Sequence, residues 1–274
     1  MKKFLQIAGK FLLFFIGWAL CISFDLPSEN PALWRLGAEF IPLVVLLAFS
    51  LVFWLLERQK FPIAPMHHPV RNILYGSAIG FLWLGAAVGI LLVCGTLSII
   101  GCNHIVDFPI WMLSCFINVT MQELLVRGYL YQLLRYNYCV PIAAAVTTLL
   151  FTFLHGGAFE AGIIPVLNVF TTSVLLTAAL EYSQCILLPI MMHGIWNGVG
   201  ALILGGVSLS DDYPTLLRTA VSGPSLISGG SCKIEGSIVV LVINILLIII
   251  FWTLNRKKHS PRRSTKLPHS SCIR

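Results

Sequence analysis

Long apolar runs recur along almost the whole chain and are separated by short polar breaks. They fall approximately at Phe4 to Phe24, Glu39 to Leu56, Ile73 to Ile100, Phe108 to Leu134, Val140 to His155, Ile163 to Leu180, Ile186 to Leu204 and Ile238 to Leu254. A hydrocarbon core of about 30 Å is crossed by roughly 20 helical residues rising ~1.5 Å each, so runs of this length predict membrane spans. The expected fold class is all-α, a polytopic transmembrane helical bundle of about eight spans. The first run follows Met1-Lys2-Lys3 like a secretory signal. Lys10 interrupts it and Leu20-Cys21-Ile22 offers no small-residue cleavage site, so it reads as a retained span.

Composition points the same way. Of 274 residues 57% are hydrophobic and only 11% charged, against about a quarter charged in an average soluble domain. The net charge of +7 is mostly a topology signal. An even number of spans puts both termini on one side, and Arg256-Lys257-Lys258 with Arg262, Arg263 and Lys266 make that side the cytoplasm. Arg58, Lys60, Arg71, Arg127 and Arg135 fall on the same inner half, whereas Arg35, Arg218 and Lys233 fall on predicted outer loops. The positive charge therefore serves the lipid bilayer as partner, and no nucleic acid is expected. The compact basic chain suits a bacterial plasma membrane.

The eight cysteines show no CxxC or other metal-ligand spacing. Cys102 and Cys232 both lie on predicted outer loops and are the pair that an oxidising compartment could join. The final Ser271-Cys272-Ile273-Arg274 places Cys third from the end, so the chain is not expected to be a CAAX prenylation substrate itself.

No linker is long or polar enough to separate globular units, so a single domain is expected. Within it, 1–111 holds N-terminal transmembrane helices, 112–204 the helices that carry chemistry, 205–237 an extracytoplasmic loop, and 238–274 the last span with a basic cytoplasmic tail. The loop is rich in Gly and Ser and reads as irregular with a short surface helix. The tail after Leu254 reads as disordered and solvated.

A charge inside the bilayer costs several kcal/mol unless paired or hydrated, so each intramembrane ionisable residue is a functional candidate. Such residues concentrate in three runs. The fourth carries Gln122-Glu123 and Arg127, the fifth Phe151 and His155, the seventh His193 and Asn197. Of the 11 acids only Glu123 falls well inside a predicted span. Glu123 and Arg127 are spaced i,i+4 with the acid first, the favourable order for an ion pair on one helical face. If the chain reverses near Tyr138 to Pro141, Glu123 and His155 lie ~23 and ~26 Å from the turn at helical rise, and His193 ~15 Å from the turn at Ser183. Tilt can absorb the difference. Three helices can thus bring a carboxylate, two imidazoles and an amide into one cavity.

Such a set suits peptide-bond hydrolysis. A carboxylate and an imidazole hold and deprotonate a water, while a second imidazole and an amide donate to the oxyanion. Glu123, His155 and His193 could instead ligate zinc, although HExxH is absent. Taken singly, each group also has a plain structural reading: an ion pair for Glu123 with Arg127, a helix end for His155, interhelical hydrogen bonding for His193 with Asn197. Asp107, Glu160 and Glu181 fall at predicted helix ends and read as solvated, and Asn168 reads as packing glue. A proton relay or transporter would use intramembrane Glu and His equally well.

These three segments resemble the signature of the CPBP (Abi) family, which includes the type II CAAX prenyl endopeptidases and bacteriocin-processing or self-immunity proteins. The family pattern EExxxR, FxxxH and HxxxN appears here as Gln122-Glu123 with Arg127, Phe151 with His155, and His193 with Asn197. The resemblance implies an intramembrane endopeptidase acting on a peptide or membrane-protein substrate. It gives Glu123 as base or its support, His155 as water-holding partner, His193 and Asn197 as oxyanion donors, and Arg127 as charge-fixing residue. Gln122 stands where the family has its first glutamate, which is thought to activate water. A catalytically weakened pseudoprotease, binding a peptide or conferring bacteriocin immunity, is the alternative.

Overall fold

The computed structural model describes residues 2–22 and 27–259. Among them six helices are long and apolar enough to cross a membrane, and two shorter apolar helices, Val140–Leu154 and Leu187–Ile203, complete the bundle. The chain is a polytopic helical membrane protein. Its large apolar side chains face outward as readily as inward; Val93 is 89% and Leu82 73% exposed, as a surface bathed by lipid requires.

The elements in order are α1 (Lys2–Cys21), α2 (Pro31–Leu56), α3 (Pro69–Val93), β1 (Leu97–Cys102) and α4 (Phe108–Glu123). A π-helical stretch Leu124–Leu130 leads into α5 (Tyr131–Asn137), followed by α6 (Val140–Leu154), α7 (Gly156–Ala161), α8 (Ile163–Ser183) and α9 (Leu187–Asn197). A second π stretch, Gly198–Ile203, precedes β2 (Leu217–Val221), α10 (Ser225–Ser228), a 3-10 stretch Gly230–Gly236 and α11 (Ile238–His259).

Several boundaries differ from the apolar runs for local reasons. The second span begins at Pro31, well before Glu39, because the Asn30 side chain accepts from the amides of Ala32 and Leu33 and Pro31 suits the first helical turn. The third ends at Val93; Gly95 takes a φ of +67° that helix cannot continue through, and the apolar residues after it form β1. β1 pairs antiparallel with β2, which lies in the stretch expected to be irregular. Helix α11 carries Arg256–Lys258 to His259 rather than ending at Leu254. The rest of the basic tail, with Arg262, Arg263, Lys266 and Cys272, lies outside the described residues.

Cys102 and Cys232 are free thiols, so the disulfide considered for them is not formed. Cys102 lies in β1 opposite Leu217, while Cys232 lies in the 3-10 stretch and faces a cavity.

The helices that matter for the site pack closely. Gly76 of α3 lies so near α9 that a Cβ there would sit 2.6 Å from the Leu188 carbonyl oxygen. Trp83 of α3 stacks on Trp196 of α9 at 4.1 Å between centroids and donates from Nε1 to Asn244 Oδ1 of α11 at 2.9 Å. Asn244 in turn donates to Thr171 and Thr172 of α8, the polar bonding between helices that lipid favours.

Lys3 donates to the Asn137 carbonyl and Lys258 to that of Tyr182. Both described chain ends therefore lie at the end of the bundle that holds the α5–α6 and α8–α9 turns. The β1–β2 pair and the segments before α11 lie at the opposite end.

Candidate active site

A cavity of about 660 Å³ opens among α2, α4, α6, α8 and α9, with Gly156–Ala158 and Ser208–Asp211 in its wall. These wall segments belong to the end opposite the chain ends. Gln122, His155, His193 and Asn197, from three separate helices, line it together. Neighbouring α-helical positions point about 100° apart, and Gln122 and Glu123 accordingly face different surroundings. Gln122 faces the cavity, whereas Glu123 is fully buried behind it.

Glu123 Oε1 accepts from Arg127 Nη1 at 2.9 Å and meets His193 Nδ1 at 2.8 Å. Arg127, also fully buried, donates from Nη2 to the Ser173 carbonyl at 2.9 Å and to Ser173 Oγ at 2.7 Å. Its guanidinium lies 4.7 Å from the centre of the Phe151 ring. That ring is 4.2 Å from His155 and 5.9 Å from His193, edge-on to the latter. Phe151 is thus a spacer touching the arginine and both imidazoles, which explains its place four residues before His155.

Each imidazole is anchored through Nδ1. His155 Nδ1 lies 2.7 Å from the Phe151 carbonyl. A carbonyl only accepts, so Nδ1 carries the hydrogen and Nε2 is left with its lone pair. Glu123 Oε1, a carboxylate oxygen, accepts from His193 Nδ1–H. The local backbone supports both arrangements: α6 ends at Leu154 with His155 as its C-cap, and the π stretches begin immediately after Glu123 and after Asn197. A π turn rotates the residues beyond it against the helix, a device frequent at functional sites.

A polar chain runs from the cavity toward the rim. Gln122 Nε2 donates to Asn118 Oδ1 at 2.6 Å, and Asn118 Nδ2 donates to Glu39 Oε2 at 2.7 Å. Arg35 donates to Glu39 Oε1 at 3.2 Å and is ion-paired with Asp212. Beside it, burial above all, with the Glu39 carboxylate, holds the Tyr213 phenol above its usual range, so Tyr213 stays neutral. Among the described residues the carbonyl oxygen of the Gln122 side chain has no hydrogen-bond partner, nor has Glu123 Oε2.

Sequence reasoning missed Glu39 and Glu235, which both line the cavity. Hydropathy alone puts Glu39 at the edge of a span; the Asn30-Pro31 start, with the i,i+4 pair Arg35 and Glu39, is the signal that places it inside one. Glu235 has no such signal, since its place depends on how the 3-10 stretch folds over α9. Asn168 holds that stretch through bonds from Nδ2 to the carbonyls of Glu235 and Ser237, so it does act as packing glue, while also lining the cavity. Asp107 and Glu181 are partnered rather than simply solvated: Asp107 accepts from Asn30, and Glu181 from Tyr131 and Arg135.

Among the described residues no group of three or more His, Cys, Asp or Glu is placed to hold a metal ion. Glu123, His155 and His193 do not make one, because Glu123 Oε1 is shared by Arg127 and His193 Nδ1.

The site is that of a helical membrane protein in which two anchored imidazoles and amide side chains line one cavity. Residues 104–199, which contain all three motifs, match the family model described as type II CAAX prenyl endopeptidase Rce1-like. Over that region the chain is similar to CPBP/Rce1-like proteins, a protease family. No curated protein and no solved structure matches the chain.

Proposed function

We propose that the protein is an intramembrane endopeptidase that hydrolyses a peptide bond in the cavity, with His155 as general base. The observation that carries this reading is that both imidazoles line one cavity while Nδ1 of each is fixed, to the Phe151 carbonyl and to Glu123. In this reading a water sits between Gln122 Oε1, which accepts one of its hydrogens, and His155 Nε2, which accepts the other. As the water attacks the scissile carbonyl, His155 takes its proton and later returns it to the leaving amine. His193 and the Asn197 amide are the donors to the oxyanion. Glu123 and Arg127 hold His193 and Phe151 in place. The face with both chain ends is taken as cytoplasmic, from the lysines and arginines gathered there, so the cavity opens away from the cytoplasm.

The second reading is a peptide binder that does not cut, and one observation favours it. The position that faces the cavity is an amide, Gln122, and the motif's carboxylate, Glu123, is turned away from it.

Mass-spectrometric mapping of peptides from membranes carrying wild type or His155→Ala separates these readings. Cleavage in wild type that falls by ~10²-fold or more in His155→Ala supports the protease, as expected for loss of a general base. Substrate protected by the wild type, with no cleaved product, supports the binder.

A further inference from the structure

The cavity wall carries the carboxylates of Glu39, Asp211 and Glu235 without a lysine or arginine in it among the described residues. The guanidinium groups of Arg127 and Arg35 are already engaged, Arg127 with Glu123 and Arg35 with Glu39 and Asp212. Glu235 differs from Glu39 in having no cation against it among the described residues. Its Oε2 accepts the Ser208 amide at 2.9 Å, and its Oε1 has only a long contact, 3.4 Å, from Trp196 Nε1.

A second observation points to a ligand at this spot. Asn168, 3% exposed, lines the same cavity and spends its Nδ2 on the carbonyls of Glu235 and Ser237, and its Oδ1 has no hydrogen-bond partner among the described residues. Gln122 Oε1 is in the same state. Buried acceptors left without donors are costly, and a carboxylate removed from water is costlier still, so the wall calls for a donor-rich, positively charged partner.

We infer that the cavity selects a substrate segment bearing a lysine or arginine side chain, seated against the Glu235 carboxylate with Asn168 Oδ1 as a further acceptor. The inference rests on the reading of the cavity as a peptide site. The cationic side chain would lie beside Trp196, while the scissile bond reaches His155 and Gln122. A substrate presenting a carboxylate at the same point would meet three acids and be rejected.

The test uses the full chain in vesicles of zwitterionic lipid and three fluorescent apolar peptides differing only in one central residue: Lys, Gln or Glu. Binding and cleavage are read in the same samples. The Lys peptide is expected to bind roughly tenfold tighter than the Gln peptide, the equivalent of one charge-assisted hydrogen bond, and the Glu peptide weakest. Glu235→Gln keeps the shape and the bond from Ser208 and should bring the Lys peptide down to the Gln level. Equal binding of the Lys and Gln peptides by wild type overturns the inference, as does binding of none of the three. So does a Lys preference that survives Glu235→Gln. A Lys preference without any cleaved product leaves it standing and removes the protease reading; cleavage indifferent to charge does the reverse.

Discussion

Glu123 and His193, 70 residues apart in the chain, meet at 2.8 Å between Oε1 and Nδ1 inside the bundle. In the proposed reading the contact makes the motif glutamate a support for an imidazole rather than the holder of the water. With Arg127 on the same oxygen, Glu123 forms a buried triad that fixes one imidazole from behind. Such outer support for a working histidine sets its tautomer and its aim.

Removing that support should damage the fold before the chemistry. Glu123→Ala leaves Arg127 buried and without its counter-charge, and breaking a buried pair from one side costs about 3–5 kcal/mol. The measurement is denaturant or thermal unfolding of the detergent-solubilised chain. A variant as stable as wild type would show that the pair carries no structural weight.

Arg127→Lys tests the geometry of the cation. The guanidinium reaches Glu123, the Ser173 carbonyl and Ser173 Oγ at once and lies over Phe151. A lysine ammonium keeps the charge but cannot span that fork, so a loss of about 2 kcal/mol is expected from the missing charge-assisted bonds. Because Phe151 spaces the two histidines, turnover should fall further than stability alone explains. Lysine supporting full stability and turnover would mean that charge, and not the fork, is what the site needs.

The sequence made the bundle legible because lipid imposes a simple rule: apolar stretches of sufficient length with satisfied backbone bonds. The motif residues were legible too, since Gln122, His155, His193 and Asn197 stand out in apolar surroundings and do share one cavity. The direction in which each points was not. A shift of one residue along α4 separates a cavity-facing amide from a buried carboxylate, and the π stretches after Glu123 and Asn197 rotate the residues beyond them without any mark in composition. Glu39 and Glu235 were hidden for a different reason. Asn118, which donates to the Glu39 carboxylate, and Asn168, which donates to the Glu235 backbone carbonyl, belong to other helices, so nothing local shows that either residue is held at the cavity.

The contact between α3 and α9 gives a prediction away from the polar groups. At Gly76 an added methyl would approach the Leu188 carbonyl oxygen to 2.6 Å and the Met191 Cβ to 2.9 Å, both too near to be absorbed by a side chain turning aside. Gly76→Ala should therefore push the helices apart at a cost of about 1–3 kcal/mol, as overpacking usually does. Because α9 carries His193 and Asn197, activity should fall with stability. Gly85→Ala, where a Cβ meets nothing within 4 Å, is the matched control and should leave both unchanged.

Gln122→Glu bears most directly on the choice between cutting and binding. The substitution puts a carboxylate where the family pattern has its first acid, facing the cavity beside His155 and His193. Its oxygen that replaces Oε1 has no protein partner to lose, whereas the atom that replaces Nε2 must now face Asn118 Oδ1 at 2.6 Å. Turning the Asn118 amide over would remove that clash but withdraw Nδ2 from Glu39 Oε2, so the variant should be modestly less stable, by about 1–2 kcal/mol for an impaired buried hydrogen bond. If His155 alone activates water in the wild type, the added carboxylate should raise cleavage by no more than about tenfold, within the usual contribution of a second proton acceptor. If the wild type is silent and the variant cuts, the amide is what disarms the site, and binding is its natural task. Cleavage by wild type that is lost in Gln122→Glu would instead show that the water needs the neutral amide to hold it, and that His155 is the sole base. The readout is peptide mapping of wild type and variant on one substrate, with stability measured on the same preparations.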